Sequence, residues 1–127
     1  MIHFENERGG ISLTENVVAR VVTETARSFG GRILFSNQRG KLLKVGNTGK
    51  EHLSFIQVEE TEDGKVDIRF YVVIRFGTSI HSLEKELGPA IRENVRKVTG
   101  LEVNALAMTI TGVKSKKIGR RQLEIEL

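Results

Sequence analysis

A chain of 127 residues is long enough for one domain that buries roughly two-thirds of its unfolded surface, and with no cysteine it excludes disulfide frameworks and thiolate zinc sites. The first residues, MIHFENERGG, hold charges where a signal peptide needs an apolar run. No segment approaches the roughly 20 apolar residues of a membrane span, so a chain without a direct membrane span, placed in a reducing cytoplasm, is expected. The net charge of +4 is uneven: residues 114–127 hold five Lys/Arg against two Glu and carry +3, leaving +1 for residues 1–113. This assigns the basic character mainly to a C-terminal tail.

In chain order, residues 11–13 read as a short strand, after which Ser12 or Thr14 can cap a helix by accepting from its unpaired first-turn amides. Val17, Val18, Val21, Val22, Thr25 and Phe29 recur at steps of three and four, and Gly30-Gly31 permit the positive φ that ends a helix, predicting one over 14–29. A strand at 32–36 follows. KLLKV and HLSFIQVEE then flank a glycine-rich loop, and Asp63-Gly64 predicts a type I′ hairpin turn, which needs two positive φ angles. From Val66 to Phe76 the alternation is clear. Ile68, Phe70, Val72, Ile74 and Phe76 face one way, towards a core; Asp67, Arg69, Tyr71, Val73 and Arg75 face the other, a largely wet side.

Gly77 ends that strand, and Leu83, Leu87, Ile91, Val95 and Val98 define a second amphipathic helix stopping at Gly100. Gly88-Pro89 interrupts the pattern, so either the helix kinks or Pro89 opens its main part. Leu101 to Val113 reads as a long strand with Leu106, Met108 and Ile110 on one face. Val103 is out of phase with them, which predicts a bulge near Ala105 or burial on both faces. KSKKIGRR reads as a basic linker and QLEIEL as a short edge strand. The expected fold class is α+β, two helices packed on a mainly antiparallel sheet in the order β-α-β-β-β-α-β, with residues 1–113 as a single domain and 114–127 as a basic tail.

The glycine-rich loop, KVGNTGKEHL at 44–53, suggests two nucleic-acid or nucleotide functions. A phosphate loop needs a glycine five residues before its Gly-Lys pair and a hydroxyl after it, but Lys44 and Glu51 stand there and a strand follows. Gly46-Asn47-Thr48-Gly49 matches the GxxG loop of KH domains, yet that loop joins helices and this one joins strand-like segments. A hairpin turn is the better reading.

His3, His52 and His81 lie in unrelated segments without metal-ligand spacing, apart from the alternation of His3 with Glu5 and Glu7 at the terminus. No catalytic constellation, cofactor motif or metal site emerges, and the chain is expected not to be an enzyme. Candidate interaction residues are Arg69, Tyr71, Val73 and Arg75 on the outward strand face, where Tyr71 and Val73 are the residues to mutate first, together with the cations Lys114, Lys116, Lys117, Arg120 and Arg121. Cations beside an aromatic are also what single-stranded RNA binders use, so a small KH-like RNA-binding module is the alternative reading.

The run VDIRFYVVIRFGTSI, the helix ending VRKVTG and the strand LEVNALAMTITGV together resemble the alkaline shock protein 23 family, also called the general stress protein 24 family. The likeness rests on Gly77, Ile80, Val95, Thr99, Gly100, Leu101, Val103, the alternation of Leu106, Met108 and Ile110, and Gly112-Val113. Gly9, Ile11, Leu13, Thr14, Val17 and Val18 extend it to the start of the chain. Residues 32–52, Gly88-Pro89 and the cationic end depart from the family pattern. The resemblance implies a non-enzymatic, cytoplasmic protein of cell-envelope homeostasis and alkaline stress that self-associates as a homo-oligomer, some members being held at the membrane by a separate anchor protein. It supplies no catalytic residues.

Overall fold

A computed structural model describes residues 13–42, 56–115 and 118–127, with side chains for all of these except 13, 118, 120 and 121. In order, the elements are α1 (Leu13–Arg27), β1 (Ile33–Phe35), β2 (Ile56–Glu60), β3 (Val66–Arg75), α2 (Ile80–Thr99), β4 (Val103–Lys114) and β5 (Ile118–Glu126). The strand expected at 11–13 falls mostly outside these residues, and Leu13 already opens α1. The 44–53 loop, with both of its nucleotide readings, lies outside them too.

The five strands form one sheet, with β3 and β4 central, β5 outside β4, and β1 and β2 sharing the other edge of β3. β1 pairs with its upper part, Ile33 opposite Ile74, and β2 with its lower part, Ile56 opposite Phe70. Only the β3–β4 pair is parallel, and α2 supplies the crossover that such a pair requires. Both helices lie on the face that carries Ile68, Phe70, Val72 and Ile74. These side chains form one core with Val18 and Val22 of α1, Leu83, Leu87, Ile91 and Val95 of α2, and Leu106, Met108 and Ile110 of β4.

The ends of α2 follow from capping chemistry. Ser79 is extended and its Oγ accepts from the Ser82 N–H at 3.2 Å, while Gly100, at φ 77°, donates its N–H to the Arg96 carbonyl. Replacing Ser79 by alanine orphans that amide and should cost about 1 kcal/mol, measurable by chemical denaturation. Pro89 sits inside one continuous helix rather than opening it. It leaves the Lys85 carbonyl without an intrahelical donor, but Lys85 and Pro89 are both exposed, so water can serve there. Gly88 faces inward, where an added Cβ would stand 3.1 Å from Leu127 Cβ. Leu127 is held by its N–H to the Leu106 carbonyl at 2.8 Å and by Arg92 Nη2 on its own carbonyl at 3.2 Å. The glycine is therefore what lets the end of the chain pack under α2.

Four local expectations are corrected. The 61–65 turn is not type I′, because Gly64 at φ 81° is its one positive φ. Gly64 N–H closes on the Thr61 carbonyl and Thr61 N–H on the Lys65 carbonyl, a three-residue loop that leaves Asp63 at negative φ. The Thr61 hydroxyl donates to Asp63 and holds its carboxyl below the usual 3.8. Val98 is exposed and Thr99 takes its place inside, since the helical step from Val95 that returns to the core is four residues. Phe76 lies beyond the end of β3 and is 78% exposed. β5 begins at Ile118, so Gly119, Arg120 and Arg121, read as linker, belong to a strand.

The β4 bulge does occur, with Val103 opposite Val66 but Ala105 opposite Asp67, so Asn104 is the extra residue and Val103 is buried. A second irregularity at Thr111 separates Ile110 opposite Val72 from Gly112 opposite Val73.

Candidate interaction surface

The sheet face turned away from the helices has two unlike halves. At the 71–73 end, Val73 is 0% and Tyr71 9% exposed, although neither belongs to the helix-side core. The expectation that these two point into water is thus wrong, for a tertiary reason. Two strands, β3 and β4, stand between β1 and β5, a separation of about 14 Å at the usual strand spacing. Yet Gln122 Nε2 of β5 donates to the Gln38 carbonyl just after β1 at 3.3 Å, and Ser36 Oγ lies 2.7 Å from Thr111 Oγ1 of β4. The turn at 36–41 therefore folds across this half of the face and covers it. Asn37 Oδ1 fastens the turn by accepting from the Arg39 and Lys41 amides, both at 2.9 Å, an Asx arrangement built on local chemistry.

The other half is open. Gln57, Glu59, Asp67, Arg69, Ala105, Ala107, Glu124 and Glu126 line a shallow concavity there. Arg69 Nη1 reaches Glu124 Oε1 at 3.2 Å across β4. Asp67 Oδ1 accepts from Asn104 Nδ2 and from the Ala105 amide, which fixes the bulge. One arginine faces four carboxylates, so this surface repels phosphate rather than attracting it.

The remaining predicted residues scatter. Arg75 is exposed and its Nε donates to the Gly31 carbonyl at 2.7 Å. Lys114 ends β4, its carbonyl accepting from the Phe76 amide at 2.8 Å. Arg120 is opposite Gly112 in register, and Arg121 follows it in β5; Lys116 and Lys117 lie outside the described residues. Arg69 and Arg75 therefore do not form one patch with Tyr71 between them.

The sequence marks QLEIEL as a short edge strand, but not the full length of β5 or what its outer edge exposes. Gln122, Glu124 and Glu126 are exposed there, and Leu123 is 46% exposed. Leu127 donates its amide to Leu106 and the register runs unbroken from Glu126 to Leu123, so by alternation the backbone groups of Glu126 and Glu124 point away from β4. Among the described residues β5 is last in the strand order, and no described strand pairs with that edge. Ile125 sits in the helix-side core, so Leu123 emerges on that same face at its rim.

No group of three or more His, Cys, Asp or Glu able to hold a metal occurs among the described residues, and no described helix is long and apolar enough to cross a membrane. No curated protein and no solved structure matches the chain. The model of the alkaline shock protein 23 family, described as having a cell envelope-related function, matches residues 3–115, a span that contains both stretches on which the sequence resemblance rests. The chain belongs to this family, whose function is related to the cell envelope.

Proposed function

We propose that this protein is a non-enzymatic component of cell-envelope homeostasis and the stress response, acting in the cytoplasm through self-association and protein contacts, and that the β5 edge is its assembly surface. The observation that carries this reading is the outer edge of the nine-residue β5, which pairs with no strand among the described residues and holds a half-exposed leucine. Exposed edges invite pairing unless they are blunted.

The edge is also self-complementary. Two β5 strands paired antiparallel about a two-fold axis at Leu123 set Leu123 against its copy and Gln122 against Glu124. The basic start of each strand, Arg120 and Arg121, then approaches the acidic end, Glu124 and Glu126, of the other. A parallel pairing in register would instead set like charges opposite one another, which is unfavourable. The contact is isologous and closes on itself. A separate protein anchored in the membrane is a further partner of the kind the family resemblance implies.

Sedimentation velocity over a concentration series is the test, alongside capture of partners from lysate of the native cell. Reversible association is expected, with Leu123→Lys lowering its constant by about tenfold or more through loss of apolar burial. A strict monomer that captures no protein would refute the reading.

A further inference from the structure

The fold gathers positive charge in a way the tail alone does not. The segments 28–42, 75–83 and 113–123 hold nine of the chain's twenty Lys/Arg and none of its sixteen Asp/Glu, leaving eleven cations against sixteen acids elsewhere. These segments are far apart in sequence, and hydrogen bonds bring their described parts together. The Arg75 amide donates to the Arg32 carbonyl, the Phe76 amide to the Lys114 carbonyl, and Gln122 to Gln38. Arg32, Arg39, Lys41 and Arg75 are exposed and Lys114 is half-buried. Among the described residues, these segments thus form an acid-free end at the close of β3.

At that end stands Phe76, 78% exposed. Gly77 follows it at φ 87°, a conformation that turns the chain sharply and leaves the ring on the outside of the β3–α2 turn. An exposed aromatic set among cations, with no carboxylate in the same segments, matches the chemistry of a bilayer surface: anionic headgroups outside, acyl chains just beneath.

We propose that this end docks on an anionic lipid surface, with Phe76 entering the headgroup boundary and Arg32, Arg75 and Lys114 meeting the lipid phosphates. Single-stranded RNA fits less well, because it needs a track of aromatic platforms. Among the described residues Phe76 is the one exposed aromatic, while Tyr71, Phe35 and Phe70 are buried. The inference does not depend on self-association through β5, and it gives a chain without a described spanning helix its own contact with the envelope.

Co-sedimentation of the full chain with vesicles tests it, using phosphatidylcholine alone and phosphatidylcholine mixed with phosphatidylglycerol, over a salt series. Retention by the phosphatidylglycerol vesicles alone is expected, weakening as salt rises. Neutralising Arg32 and Lys114 to glutamine should lower affinity roughly fivefold per residue, and Phe76→Ser by about tenfold or more. The chain has no tryptophan, so Phe76→Trp with all cations intact gives a second readout: its emission should shift to the blue on anionic vesicles.

Four results would each overturn the proposal: no retention at low salt, equal retention by phosphatidylcholine, an unmoved tryptophan emission, or binding of a single-stranded RNA oligonucleotide by a chain that ignores vesicles. Sedimentation velocity on the same lipid-free preparation reports separately on the β5 edge, so the two ideas can fail independently.

Discussion

Phe70→Ala should be the most damaging truncation in the core, lowering stability by about 3–5 kcal/mol. Phe70 is fully buried at the centre of β3, opposite Ile56 of β2 on one side and Met108 of β4 on the other. Its ring also meets that of Phe35 with centroids 5.8 Å apart at a tilt of 50°, a geometry worth something beyond area alone. The cavity would open where β1, β2, β3 and the helical layer all depend on one side chain, and neighbours on paired strands cannot collapse into it freely. Against a total of about 5–15 kcal/mol for a domain, that loss should drop the melting temperature by on the order of 10–20 °C. A calorimetric midpoint within a few degrees of the wild type would mean that Phe70 is not the centre of the packing.

Val73→Asp should cost a comparable amount, about 3–5 kcal/mol, because it strands a charge beneath the 36–41 turn at a position that water does not reach. The control is Gln57→Lys, at an exposed position in the open half of the same sheet face, which should change stability by no more than about 0.5 kcal/mol. Urea denaturation of the two variants side by side measures the difference between the covered and open halves. If Val73→Asp were as mild as Gln57→Lys, the turn would not cover this face.

That contrast also marks where sequence reading stops. Alternation along β3 correctly sorts Ile68, Phe70, Val72 and Ile74 from Asp67, Arg69, Tyr71 and Val73, because the pleat imposes a period of two. It cannot say what lies over each face. The turn that buries Tyr71 and Val73 comes from far upstream in the chain, held by Ser36 to Thr111 and Gln38 to Gln122, contacts that leave no periodic trace.

The helices are legible for the same reason that β3 is. Val18, Val22, Leu83, Leu87, Ile91 and Val95 keep a helical step and are all buried. Val98 misleads because a three-residue step also fits a helix, and Pro89 because local propensity yields when tertiary packing holds a helix together. The β4 bulge can be read from the phase of Val103, since an extra residue shifts every later side chain to the other face.

The candidate site is harder to read than the fold. Arg69 and Arg75 do reach the surface as their alternation implies, but their partners decide their chemistry, and Glu124 and Gly31 are distant in sequence. The charge of the tail is visible in the sequence. The nearness of Lys114 to Arg32 and Arg75 requires the topology. The β5 edge has a weak sequence signal in the alternation of QLEIEL, which gives an edge strand but not its full length or its exposed leucine.

The most direct test of the assembly surface is amide hydrogen exchange at Glu124 and Glu126, measured from dilute to concentrated protein. Their N–H groups point away from β4, so in a monomer they should exchange quickly while the Leu127 amide, bonded to Leu106, remains protected. Protection at Glu124 and Glu126 is expected to rise with concentration as β5 pairs with a second copy, and Leu123→Lys to abolish the rise. Fast exchange at both amides across the whole range, in a protein that associates nonetheless, would contradict it and place the assembly surface elsewhere.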